Sequence, residues 1–201
     1  MPNSAGLILL AAGGSTRLGR PKQLLRFQGQ SLLGRAASAA LASCCRPIVV
    51  VLGAEADACR AEIADLPVSV TINSAWQRGM GSSLRAGLES LRATPSETAP
   101  FEPAAVVLML VDQPGVDAEL LDRLVAAWRE TGRPIVASAY EQTLGVPALF
   151  SCERFEQLRT LPDDVGARGL IRDAPPSDVA VVEAPQGARD IDTPVDSALL
   201  E

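Results

Sequence analysis

Short apolar runs that stop abruptly at glycine, proline or a polar residue restrict this chain's fold more than any other feature. Residues 6–12 (GLILLAA), 47–53 (PIVVVLG) and 104–111 (AAVVLMLV) carry no charge. A strand with one wet face alternates apolar and polar residues. These runs do not, so both faces must be covered, as in a parallel sheet sandwiched between helices. Residues 68–73 and 134–139 add two further strands rich in β-branched residues. Between the runs lie segments with helical spacing: 31–43 with Ser31 as N-cap, 55–65, 82–92 and the amphipathic 117–131. Strand and helix in alternation predict a three-layer α/β/α architecture with a mostly parallel sheet. The second half is less regular. Residues 142–150, helices near 151–160 and 166–173, and a strand at 179–183 read as additions walling one side of a site. The Pro-rich stretch 94–103 reads as a surface loop. With no internal repeat and no long linker, residues 1–201 are expected to form one domain.

In open α/β sheets, ligands bind beyond the carboxyl ends of the strands, and the chemically interesting residues of this chain follow strands. After the first come Leu10-Ala11-Ala12-Gly13-Gly14-Ser15-Thr16-Arg17-Leu18-Gly19-Arg20-Pro21-Lys22. Small residues let the backbone approach a ligand and aim N–H groups at it, and Arg17 and Lys22 add two cations, which together suit a polyphosphate. The competing reading is a glycine-rich turn with solvated basic residues. The stretch is neither a Walker A nor a GxGxxG fingerprint. After the strongest strand comes Asp112-Gln113-Pro114, where Asp112 is a hard oxygen ligand suited to Mg²⁺ or, alternatively, a turn residue before proline. Near the end, Asp190-Ile191-Asp192-Thr193-Pro194-Val195-Asp196 offers Asp192 as a second metal carboxylate, with Thr193 and Asp196 as a helix cap. The stretch 73–88 combines Asn73, Trp76, Gly79 and Gly81 with Ser82 and Ser83 at a helix start; capping and core packing compete there with ligand binding. Residues 145–150 and 164–169, with Pro147 and Arg168, form the weakest pattern.

Composition narrows the chemistry. The chain has no histidine, which removes His-based general-base catalysis, Ser–His triads and His-ligated zinc. A net charge of −6 argues against nucleic acid as a partner but not against a nucleotide. Cys44, Cys45, Cys59 and Cys152 match no zinc or redox spacing and are expected to be reduced, buried small hydrophobes. The opening Met1-Pro2-Asn3-Ser4 lacks a signal-peptide pattern, and no apolar run approaches ~18 residues, so a cytoplasmic location and no membrane partner are expected.

These segments, in this order, resemble the MobA-like nucleotidyltransferase superfamily, and within it the MocA-like molybdenum cofactor cytidylyltransferases. The resemblance runs through LLAAGGSTRLGRPKQLL, NSAWQRGMGSSLRAGL, VDQP, GVPALF, DVGAR and DIDTPVD, from residue 9 to residue 196. It implies a Rossmann-like α/β nucleotidyltransferase fold. It implies a nucleotide site built from Leu10, Ala11, Ala12, Gly13, Gly14, Ser15, Arg17, Lys22, Asn73, Gly79 and Ser83, with Arg17, Lys22 and Asp112 catalytic. It implies Mg²⁺ on Asp112 and Asp192, and an acceptor site including Trp76, Gln113, Pro114, Pro147 and Arg168. Ala12, where guanylyltransferase relatives carry glycine, narrows the base pocket and favours CTP over GTP. The implied acceptor is molybdopterin, with a molybdenum hydroxylase as recipient of the product. A sugar phosphate or methylerythritol phosphate as acceptor, and a non-catalytic cofactor carrier, are the alternatives. The chain departs from the family at Val146, where a histidine is common; any contact made by that histidine is absent here.

Overall fold

The computed structural model describes residues 4–93 and 103–188, together with 190, 191, 193 and 196. The expected loop at 94–103 lies almost wholly outside the described residues, as does Asp192. In chain order the elements are β1 (Ala5–Ala11), the short hairpin β2 (Arg26–Phe27) and β3 (Gln30–Ser31), α1 (Leu32–Ala42), β4 (Ile48–Leu52), α2 (Ala56–Glu62) and β5 (Ser69–Ile72). There follow α3 (Met80–Ala93), β6 (Ala105–Leu110), α4 (Ala118–Thr131), β7 (Ile135–Tyr140), β8 (Thr143–Ser151), α5 (Phe155–Arg159), α6 (Arg168–Asp173) and β9 (Val179–Glu183).

Seven strands form one sheet in the order β5-β4-β1-β6-β8-β7-β9, and all run parallel except β8. The strands predicted to be covered on both faces are so covered. Along β1, Leu7, Leu9 and Ala11 enter the core under α1, α2 and α4, while Ile8 and Leu10 enter the core under α3, α5 and α6. Each fully buried leucine of this kind contributes about 1.5–3 kcal/mol. Local chemistry sets the helix ends. Ser31 Oγ accepts from Gly34 N at 3.0 Å and starts α1. Asp117 Oδ1 accepts from Leu120 N at 2.9 Å and starts α4, which Gly132 ends in a left-handed conformation (φ 65°).

The structure corrects two expectations. Residues 142–150 are no peripheral addition: β8 is inserted between β6 and β7, antiparallel to both, with Leu108 paired to Ala148. Its Gly-Val-Pro step broke the strand pattern in the sequence. In the sheet that step falls where pairing jumps from Ala137–Ala148 to Ser138–Gly145, a bulge that accommodates a proline without a ladder N–H. The second correction concerns the cysteines: Cys45 and Cys59 are buried, but Cys44 and Cys152 are exposed, because each lies just past an element's end. Burial pushes the Cys45 thiol up to about 12 and the Cys59 thiol up to about 11, so both stay as neutral, unreactive thiols near neutral pH. An aromatic disulfide reagent at pH 8 should therefore titrate Cys44 and Cys152 in the native protein, Cys44 more slowly than a free thiol because partial burial and the Asp122 carboxylate raise its pKa, and the other two only after denaturation. Rapid reaction of all four would contradict this packing.

Candidate active site

The chain passes from β1 to β4 and β5 on one side, then crosses under α3 to β6 on the other, so the switch point lies between β1 and β6. The glycine loop leaves β1 there, and Asp112 follows β6. A buried amide shapes the loop. Gln23, 0% exposed, donates from Nε2 to Ala11 O (2.9 Å) and Gly13 O (2.7 Å), pinning the strand end and the loop's first turn. Ser15 adopts a left-handed conformation (φ 50°) and its Oγ accepts from Lys22 N at 3.0 Å. Leu18 N and Gly19 N both close on Ser15 O. Gly14 lies against the Trp76 indole: a Cβ there would come within 2.8 Å of the ring.

Lys22 Nζ lies 2.6 Å from Asp112 Oδ2, and both side chains are largely buried. Asp112 Oδ1 is buried and, among the described residues, has no hydrogen-bond partner. The pair lines a cavity of about 330 Å³ with loop residues 10–16, Trp76, Gly79, Met80 and Ser83. Most of the residues expected to hold a nucleotide therefore meet in one place. Arg17 is exposed on the loop and does not line the cavity. Asn73 is buried behind it, its amide donating to Ser82 Oγ (2.9 Å) and Ser83 Oγ (3.0 Å), so it braces the start of α3. Ser82 lies within α3 rather than before it, and its Oγ donates back to Gly79 O at 2.7 Å.

A second cavity of about 210 Å³ adjoins the first and shares Leu10, Met80 and Leu110 with it. Gln113, Tyr140, Gly145, Val146, Arg168 and Asp190 line it. Gln113 Nε2 donates to Val146 O (3.1 Å) and Gly187 O (3.0 Å), which fixes the amide's orientation and leaves Oε1 buried with no partner among the described residues. The Tyr140 hydroxyl donates to the same Val146 O at 3.0 Å; burial, with the nearby Asp190 carboxylate, raises its pKa and keeps it a neutral donor. Arg168 Nη2 donates to Thr143 Oγ1 at 2.7 Å. Of the residues expected at the acceptor, Gln113 and Arg168 line this cavity, whereas Trp76 lines the first. Pro114 and Pro147 line neither; their carbonyls accept from Arg35 Nε (2.8 Å) and Ser138 Oγ (2.6 Å). Sequence reading overlooked Gln23, Met80 and Tyr140. Only Tyr140, the sole tyrosine, carried a compositional signal.

Thr193 and Asp196 form the expected cap, with Thr193 N donating to Asp196 Oδ2 at 2.7 Å and Asp196 N to Thr193 Oγ1 at 3.3 Å. Ile191 N donates to Asp112 O at 3.0 Å, so this segment is tied to the Asp112 turn. Among the described residues no cluster of three or more metal-binding side chains occurs. An unpartnered buried carboxylate oxygen nevertheless fits a hard cation such as Mg²⁺, which takes one or two carboxylates and completes its shell with phosphate and water.

The open, mostly parallel sheet with a glycine loop at its switch point matches the α/β nucleotidyltransferase fold of its structural neighbours. Residues 7–180 match the MobA-like NTP transferase domain, and the chain belongs to that family of nucleotidyltransferases. It is 34% identical over 178 residues to nicotine blue oxidoreductase of Paenarthrobacter nicotinovorans, covering 84% of this chain and 81% of the relative. The crystal structure of Rv0371c from Mycobacterium tuberculosis H37Rv superposes with a TM-score of 0.81 at 29% identity, over 100% of this chain and 98% of that one. A complex of Rv0371c with manganese superposes at 0.78, also at 29% identity, over 98% and 97%. Among the described residues no helix is long and apolar enough to cross a membrane.

Proposed function

We propose that the protein is a cytoplasmic CTP:molybdopterin cytidylyltransferase, converting CTP and molybdenum cofactor to molybdopterin cytosine dinucleotide and pyrophosphate. The observation that carries the reading is the Lys22–Asp112 pair at the glycine loop, with one aspartate oxygen unpartnered and a second cavity adjoining. The choice of cytosine rests on Ala12, and the choice of acceptor on the motif resemblance. A molybdenum hydroxylase would receive the product.

In this reading the triphosphate lies along residues 13–16 with the base toward Gly79 and Ser83, and the acceptor occupies the cavity lined by Gln113 and Arg168. An acceptor phosphate oxygen forms a bond to the α-phosphorus while the bond to the β-phosphate oxygen breaks, and pyrophosphate leaves in line. A phosphate monoester is already anionic near neutral pH, so the chemistry needs no strong base, which agrees with the absence of histidine. Lys22 neutralises charge gathering on the leaving pyrophosphate; Arg17 can add to this only from the exposed rim of the loop. Asp112, with Asp192 as the second carboxylate, would hold Mg²⁺. When bound, the cation supplies Lewis-acid neutralisation of phosphate oxygens. Catalysis is then chiefly alignment and electrostatics.

Thermal unfolding with CTP, GTP, UTP, ATP and NADPH, each with and without Mg²⁺, tests the reading. A nucleotide at one hundred times its dissociation constant adds about 2.7 kcal/mol of stability. A Mg²⁺-dependent shift for CTP, followed by pyrophosphate release with molybdopterin, is expected. A shift with GTP alone would overturn the base assignment, and one with NADPH alone would favour redox chemistry of the kind the Paenarthrobacter relative's name describes.

A further inference from the structure

The two cavities share a wall, and a contact between distant segments builds it. Where α3 begins, the backbone of Gly79 and Gly81 touches the backbone of residues 162–165. A Cβ on Gly79 would lie 2.4 Å from Asp163 O, and one on Gly81 would lie 2.2 Å from Pro162 O, so only glycine permits this approach. Gly81 N donates to Asp163 O at 2.8 Å. The Asp163 carboxylate then takes a guanidinium on each oxygen: Arg78 Nη2 lies 2.5 Å from Oδ2, and Arg85 Nη2 pairs with Oδ1. Arg85 Nη1 also donates to Leu161 O at 2.5 Å. Beyond this clamp the loop runs into Gly166, Ala167 and Arg168, which line the second cavity. Met80 lines both cavities, and its sulfur lies 2.7 Å from where a Cβ on Gly166 would stand. Asp163 itself lines neither cavity.

We propose that Asp163 is a positioning residue whose bridge between Arg78 and Arg85 locks the 161–167 loop onto the first turn of α3, so that both substrate cavities are formed or lost together. The proposal rests on reading the cavities as nucleotide and acceptor sites. It has a quantitative signature. If only a fraction of molecules has the loop docked, the apparent affinity for each substrate falls by that same fraction. Substrate-bound molecules are docked, so the chemical step is untouched.

The test is Asp163→Asn, which keeps the side chain's size and removes the charge that holds both arginines. With Mg²⁺ present, the dissociation constants of CTP and of molybdopterin measured singly, and KM for each with the other substrate well below saturation, should rise by one common factor, about 3–10-fold, while kcat with both saturating stays within about twofold of wild type. A lower melting temperature with both KM values unchanged would overturn the proposal, as would a rise in one KM only or a fall in kcat with affinities intact. If Asp163→Asn does not fold, Arg78→Gln removes one bridge from an exposed side chain and should give a smaller but still common factor. Hydrogen–deuterium exchange separates this proposal from the functional reading. If the wild type binds no nucleotide, the functional reading fails. Joint acceleration of exchange in the peptides covering 79–83 and 161–168 of Asp163→Asn would still support the clamp, and independent exchange would refute it.

Discussion

Asp112→Asn is expected to lower the rate of pyrophosphate release by about 10²–10³-fold, the effect seen when one preorganised electrostatic group is removed from a reacting centre. The amide occupies the same volume and can still accept from Lys22 Nζ, so the fold and the cavity's shape should persist. It loses the negative charge on the unpartnered oxygen, the feature that suits a cation. Two further results should accompany the loss of rate. The stabilisation by CTP should no longer depend on Mg²⁺, and circular dichroism should be unchanged. Lys22→Ala supplies the contrast: it should also slow turnover, while the Mg²⁺ dependence of CTP binding survives on Asp112. A variant lacking the Asp112 charge that turned over at the wild-type rate would remove this residue from the mechanism.

The second large effect is expected at Gln23, which lines the floor of the first cavity and holds the glycine loop in place. Gln23→Leu preserves bulk and burial but strands Ala11 O and Gly13 O, the two carbonyls its amide now satisfies. The Ala11 carbonyl lies in a buried bond, and stranding it costs about 1–3 kcal/mol, a substantial part of the ~5–15 kcal/mol that holds a domain together; Gly13 is exposed, so water can take up its carbonyl. Urea unfolding should show a midpoint well below wild type with an unchanged m-value. Because the same hydrogen bonds set the course of the glycine loop, KM for CTP should rise as well. If stability falls with nucleotide affinity untouched, the loop's shape is fixed by something other than this amide.

Gln23 also shows where the sequence stops being informative. The flat apolar runs revealed the covered sheet because burial on both faces leaves no other pattern, and the chain order of runs and periodic segments revealed the layers. The glycine loop and Asp112 were legible for a related reason: both follow a strand directly, so their placement at one edge of the sheet follows from strand direction alone. Gln23 sits within the same motif, yet nothing in its neighbours announces that it turns back on the loop; that depends on the short helical turn at Lys22–Leu24. Tyr140 and Met80 were hidden for another reason. Their roles depend on β8 running against its neighbours and on the 161–167 loop docking against α3, and such long-range pairings leave no local trace. Gln113 and Arg168 stood in weak local patterns and were assigned to an acceptor only by the family resemblance; both line the second cavity.

The single reversed strand has an evolutionary consequence. Because β8 runs antiparallel, the Glu141–Gln142 turn that joins it to β7 arrives at the same rim as the carboxyl ends of β1 and β6. Everything up to Asp112 furnishes the loop and the Lys22–Asp112 pair, whereas the second cavity draws most of its distinctive lining from residues after that point. Insertions or exchanges in the later half can therefore reshape the second cavity without disturbing the glycine loop or the Lys22–Asp112 pair. A lineage built on this plan can vary one cavity by drift in one half of the gene while selection keeps the other half still.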